Sequence, residues 1–221
     1  NIFQQFGTNW VLIVDPRTGD IMYTSADRGS DKFGPARFVA PSEQQRPLFR
    51  SSSTPAVVHL STSVNSTAVM LWTQPNEGST YFLLYLSSLS PLRPWSNATL
   101  AAPYQQAFSM SNTPALLLCR GSVFLVFANN QGAVTWGVLQ TAAEGYIIGI
   151  RGTLPNPRGH IAMSTGPVCL TAHLDTMVAR WTSLDSRLES AMFDWEQYDW
   201  RSVGDQKEIA DAPVESRCVG I

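Results

Sequence analysis

The chain is predicted to be all-β, and three observations carry that prediction. β-Branched and aromatic residues gather in short runs, such as "SVFLVFA" (residues 122–128) and "TYFLLYL" (residues 80–86), the make-up of strands. Gly, Asn and Pro punctuate the runs, as in "NNQG" (129–132) and "PNEG" (75–78), which is turn chemistry. The pattern also repeats. "TPAVVHL", "TPALLLC" and "GPVCLTAH" begin at residues 54, 113 and 166, and Pro55, Pro114 and Pro167 are separated by 59 and 53 residues. A period in this range signals a modular array.

Taken in order, the elements form four units. In the first, "NWVLIVD" (9–15) is a strand, "PRTG" a turn and "DIMYTSA" (20–26) the returning strand, an incomplete version of the pattern. The second runs "TPAVVHL", "TAVMLWTQ", "PNEG", "TYFLLYL". The third runs "TPALLLC", "SVFLVFA", "NNQG", "AVTWGVL", and the fourth "GPVCLTAH", "TMVARWTSL", "SAMFDWEQY". "NPRGH" (156–160) and "SLSPLRP" (88–94) read as loops, and one short helix is expected around residues 186–193. The reading is a single all-β repeat domain over residues 1–204, with units of about 1–50, 51–110, 111–164 and 165–204, and a C-terminal tail over 205–221. Units of three or four antiparallel strands suit a small β-propeller of about four blades. The alternative is a β-sandwich or β-barrel of serial hairpins, as in a viral spike domain.

Bulk properties narrow the partners. The formal net charge is −2 and only 14% of residues are charged, so nothing argues for nucleic acid. Lys32 and Lys207 are the only lysines. The surface is therefore built largely from Ser, Thr, Asn, Gln and backbone, which suits neutral polar ligands better than phosphates. No apolar run is long enough to span a bilayer as a helix, so no membrane insertion is expected. Cys119, Cys169 and Cys218 cannot all pair with one another, and no C-x-x-C occurs. The expectation is buried thiols in strands, with no metal site and no cofactor. Two N-glycosylation sequons start at Asn65 and Asn97, which favours extracellular exposure.

"TPAL", followed by "VFLVFANNQGAVTW", resembles a blade of the lectin-type β-propellers, the sugar-binding families of fungi and bacteria. The likeness is one of pattern and extends over most of residues 40–200. "SADRGSDKF" (25–33) is similar to the Asp-box turn of sialidase-type propellers, S-x-D-x-G-x-x-W/F, with one residue inserted before Phe33. These resemblances imply a propeller that handles sugars. An Asp box is a structural turn, so it speaks to fold and not to activity.

The chemistry points to binding. GxSxG, HExxH and the P-loop are absent, so no catalytic residue is assigned and an enzyme is not expected. His59, His160 and His173 are far apart in sequence, with His59 and His173 near the ends of equivalent strands. A glycoside hydrolase needs two carboxylates about the scissile bond. Asp194 and Glu196 in "FDWEQYDW" would share a face if that segment were a strand, although solvated surface carboxylates are the commoner case. Aromatics are the stronger signal, because sugars stack their C–H faces on Trp and Tyr while fixed polar groups take their hydroxyls. Trp95 with Arg93 in the loop "RPWSN", and Tyr198 with Trp200 and Arg201, are the candidate ligand-binding residues, with Trp95, Tyr198 and Trp200 expected to be exposed. Trp72, Trp136 and Trp181 fall inside strands and are expected in the core.

The expectation is therefore a lectin-like recognition domain for a cell-surface glycan or glycoprotein receptor, secreted or exposed on a virion, and a homo-oligomer such as a dimer. The alternative is a receptor-attachment spike domain excised from a viral capsid or surface protein. A glycoside hydrolase or sialidase ranks third.

Overall fold

A computed structural model describes residues 2–5, 8–27, 29–40, 42–51, 54–61, 66–73, 81–86, 98–100, 114–142, 145–173 and 176–203. Among the described residues, sixteen strands form four antiparallel meanders of four strands each. The chain divides into two compact units, one made of Asn1–Ser109 with Ala142–Tyr146 and the other of Met110–Thr141 with Ile147–Ile221.

In the first unit, β1 (Ile2–Gln5), β2 (Thr8–Val14), β3 (Ile21–Asp27) and β4 (Arg37–Phe38) pair in sequence order. The first repeat is thus a full meander, not an incomplete one. Its outer strands are short and carry few apolar residues, so the sequence pattern shows only the inner pair. On β2 the alternation puts Trp10 and Leu12 inward, and on β3 Ile21 and Tyr23. Trp10 and Tyr23 lie diagonally across the pair, because Leu12 is opposite Tyr23, with ring centroids 5.9 Å apart. The second meander is β5 (Ala56–Ser61), β6 (Ser66–Thr73), β7 (Tyr81–Leu86) and β8 (Ala98–Leu100). Met70 and Trp72 of β6 join Trp10, Leu12, Ile21, Tyr23, Val39 and Phe49 in one buried cluster. Phe49 closes a 3-10 helix (Glu43–Phe49) and stacks on Trp72 at 5.6 Å and 18°.

A buried carboxylate fixes that helix. Asp20 is 2% exposed. Its carboxylate accepts from Arg46 Nη2 at 2.5 Å, Arg50 Nε at 3.0 Å and Thr18 Oγ1 at 2.8 Å. Burial by itself would raise its pKa. The hydrogen bonds from Arg46, Thr18 and Arg50 outweigh that, and the net effect holds Asp20 below the usual carboxylate value. The Arg46 guanidinium also lies 3.8 Å over the Phe38 ring. The segment similar to an Asp box joins β3 to β4. Within it, Ser30 N donates to Asp27 O and Gly34 N to Ser25 O, but Phe33 is exposed and does not anchor the turn in the core.

In the second unit, β9 (Ala115–Cys119), β10 (Ser122–Ala128), β11 (Val134–Ala142) and β12 (Gly145–Thr153) form the third meander. The fourth contains β13 (Cys169–His173), β14 (Thr176–Thr182), β15 (Leu188–Asp194) and β16 (Asp199–Ser202). The helix expected around residues 186–193 is strand β15. Ser186 takes φ +61 to close the β14–β15 turn, which no α-helix tolerates, and β15 is paired on both sides. Trp136 and Trp181 are buried at 3% and 1%, and Trp72 in the first unit at 0%, as expected of core indoles. Cys119 is a buried thiol, whereas Cys169 is disulfide-bonded. The expectation of buried thiols therefore fails at Cys169, because strand spacing carries no information on which sulfurs meet.

The turns share one device. Asn129 Oδ1 accepts from the backbone N–H of Gln131 and Ala133, both at 2.9 Å, and Gly132 has φ +83. Asn156 does the same for Arg158 and His160, at 3.0 and 2.9 Å, and Gly159 has φ +77. A short polar side chain folds back on the next N–H groups while a glycine supplies the left-handed residue. This device closes the "NNQG" and "NPRGH" turns.

A candidate aromatic binding site

Six aromatic rings meet in the second unit. Phe193 on β15 is central. Its ring centroid lies 5.1 Å from Phe124, 5.5 Å from Trp136, 4.8 Å from Trp195, 5.4 Å from Tyr198 and 5.3 Å from Trp200. All five pairs are edge-to-face, the arrangement that ring quadrupoles favour. Phe124, Trp136, Phe193 and Trp200 are buried, Trp195 is partly buried and Tyr198 is 44% exposed. The cluster therefore runs from the core to the surface, and Tyr198 is where its aromatic face meets solvent.

Local structure explains each position. β15 pairs with β16 so that Phe193 faces Trp200 and Asp194 faces Asp199. Residues 195–198 make the turn. Asp194 Oδ1 caps it by accepting from Glu196 N at 2.9 Å and Gln197 N at 3.2 Å. Tyr198 completes the turn at φ +52, a conformation costly for a bulky residue. The neighbouring β9–β10 hairpin closes through Arg120 at φ +46 and Gly121 at φ +75. Positive φ at both residues is what a two-residue type I′ hairpin requires. The Arg120 guanidinium lies 4.3 Å from the Trp195 ring centroid. Two of the three non-glycine residues with positive φ, Arg120 and Tyr198, thus border this one cluster among the described residues. Strained residues of this kind concentrate at binding sites.

The structure redistributes the sequence candidates. Tyr198 is exposed as expected. Trp200 is not. It is 5% exposed, because the register puts it beside Phe193 on the inner face. Arg201 is exposed on the opposite face of β16, across from Met192. Tyr198, Trp200 and Arg201 therefore do not form one surface. Arg93 and Trp95, and Asn65 and Asn97 of the sequons, lie outside the described residues, as does the tail over 205–221. Asp194 and Glu196 do not share a strand face, since β15 ends at Asp194 and Glu196 is in the turn. The carboxylate of Asp194 is engaged in capping that turn. Arg120 and Trp195 are not among the candidate residues that the sequence offers. The "CRGS" turn between two apolar runs was the available signal for Arg120. Among the described residues, no group of three His, Cys, Asp or Glu could hold a metal ion.

No family model matches the chain, and no curated protein matches it. Solved structures do. The chain is similar to the six-bladed β-propeller fungal lectin Aleuria aurantia lectin, with a TM-score of 0.58 at 12% identity, covering 92% of this chain and 61% of that one. It is similar to the GH43_1 enzyme from Xanthomonas citri complexed with xylose, with a TM-score of 0.55 at 10% identity, covering 92% and 71%. It is also similar to a glycoside hydrolase family 43 arabinoxylan arabinofuranohydrolase from Bacillus subtilis, with a TM-score of 0.54 at 11% identity, covering 92% and 51%. The chain thus spans about three fifths of the lectin's length and half of the Bacillus enzyme's. At these identities the likeness is one of fold: four antiparallel meanders of the kind found in β-propeller proteins.

Proposed function

We propose that this protein is a non-enzymatic carbohydrate-recognition domain whose four meanders act as propeller blades and whose ligand meets the surface formed by Tyr198, Trp195 and Arg120. The observation that carries the reading is Tyr198, a half-exposed ring held at φ +52 on top of a buried aromatic cluster. A rigid aromatic platform with a guanidinium beside it is suited to the C–H face and hydroxyls of a sugar. The sugar-handling propellers among the similar folds, the fucose-recognising Aleuria lectin included, support the ligand class. A single shallow site binds weakly, so a homo-oligomer, secreted or displayed on a virion, would gain avidity from repetition. An attachment domain on a viral surface differs from this in context and not in chemistry.

The rival reading is a glycoside hydrolase, favoured by the family 43 enzymes among the similar folds. It needs a pair of carboxylates facing one sugar, and Asp194 at the end of β15 and Glu196 in the turn do not share a strand face. A glycan array assayed for released sugar in the same wells separates the two. Binding without product is expected, and Tyr198→Ala is expected to abolish it. Arg120→Asn keeps a residue tolerant of positive φ and removes the guanidinium. It is expected to weaken binding and leave the fold intact. Product release would overturn the proposal.

A further inference from the structure

The second unit buries three indoles on its strands, and they differ in one respect. Trp181 donates its N–H to Glu189 Oε2 at 3.2 Å. Trp136 and Trp200, 3% and 5% exposed, have no hydrogen-bond partner for Nε1 among the described residues. Buried indole N–H groups ordinarily find an acceptor. Gly152 of β12 lies beside one of them. A Cβ placed on Gly152 would sit 3.5 Å from Trp136 Nε1, with no other heavy atom of the described residues within 4 Å apart from the adjoining chain, and its φ is outside the left-handed region. Neither backbone conformation nor a clash therefore demands glycine there. Gly137 on β11 contrasts with it, because a Cβ there would meet Gly149 O at 2.8 Å. What the glycine at 152 does is leave room at the indole nitrogen. Gly152 is partly exposed, and the Tyr198 ring centroid is 6.3 Å from that of Trp136.

We propose that the Trp136 N–H above Gly152 is the hydrogen-bond donor of a subsite that takes one hydroxyl or ring oxygen of a neutral sugar; the proposal rests on the carbohydrate reading above. An indole N–H donates and never accepts, so the ligand atom must be an acceptor. The nitrogen is closed to solvent in the unliganded molecule. The sugar reaches it on the Gly152 side, with its apolar face stacked on the Tyr198 ring.

The test uses the whole chain with 15N-labelled indoles, titrated with L-fucose, D-xylose and L-arabinose, and binding followed by calorimetry. The Trp136 indole resonance, assigned by its loss in Trp136→Phe, is expected to move with the same saturation curve as the heat. Gly152→Ala fills the space with an ordinary van der Waals contact. It is expected to weaken binding about tenfold, roughly the worth of one hydrogen bond, at unchanged melting temperature. Trp136→Phe keeps a ring and removes the donor, and is expected to weaken binding to the same degree. If a sugar binds while the resonance stays still, or if both variants bind as the parent does, this subsite is wrong and the carbohydrate reading stands. If the indole proton exchanges with water and ignores every sugar that binds, the N–H serves a water and the proposal is overturned. If neither these sugars nor the glycan array bind, the carbohydrate reading falls and takes this subsite with it.

Discussion

Asp20 carries a charge in a place where charge is expensive, and the two arginines and Thr18 decide its behaviour. Its folded pKa is depressed, so the stability it contributes is fully present above its unfolded pKa of about 3.9. That stability is lost as pH falls through the lower folded value. Melting temperature measured from neutral pH downward is expected to hold and then to fall below about pH 4, and Asp20→Asn is expected to flatten this part of the acid limb. At neutral pH the same substitution removes the Asp20 carboxylate from Arg50 and from Arg46, which keeps its ion pair with Glu43, and is expected to cost about 1.5–3 kcal/mol in urea unfolding. Ser186 is the opposite case. Its φ of +61 is imposed by the β14–β15 turn, and its side chain is exposed. Ser186→Gly is expected to raise stability by about 0.5–1 kcal/mol, the relief of left-handed strain less the extra freedom of the unfolded glycine.

Strands β11 and β12 approach so closely at Gly137 that a methyl group there would overlap Gly149 O. Gly137→Ala is expected to destabilise the protein by about 2–3 kcal/mol, read from the urea midpoint, while Gly152→Ala on the adjoining strand is expected to be tolerated. Elements of this kind were legible in the sequence to different depths. The inner strands of the first three meanders stand out, because β-branched and aromatic runs such as "SVFLVFA" have no competing period, whereas β15 overlaps the segment expected as a short helix. The short strands β1 and β4 do not, since they carry too few side chains to show alternation. The exposure of Tyr198 is legible in the sequence, but the burial of Trp200 is not. Its face depends on the β15–β16 register, which a two-residue change in turn length would leave alone and a one-residue change would reverse. Asp194 does lie on β15, but Glu196 does not share its face, because the Asp194 side chain folds back on the backbone and starts the turn there, a role that looks the same in sequence.

For the molecule as a whole, a charge of −2 and two lysines in 221 residues leave little long-range field. If the ligand is a neutral sugar, its affinity is expected to change less than about twofold between low and physiological salt. A steep decline would identify an anionic glycan, and a titration series in sodium chloride decides between them. The aromatic cluster has a further consequence, for spectroscopy. The indoles of Trp136 and Trp200 have ring centroids 6.4 Å apart at 74°, with Phe193 near both. Chromophores this close share their electronic excitation, which adds an exciton couplet to the far-ultraviolet circular dichroism on top of the peptide signal. A spectrum of this protein will therefore misstate its strand content if read as backbone alone. The couplet itself is a built-in gauge of whether that one cluster is assembled.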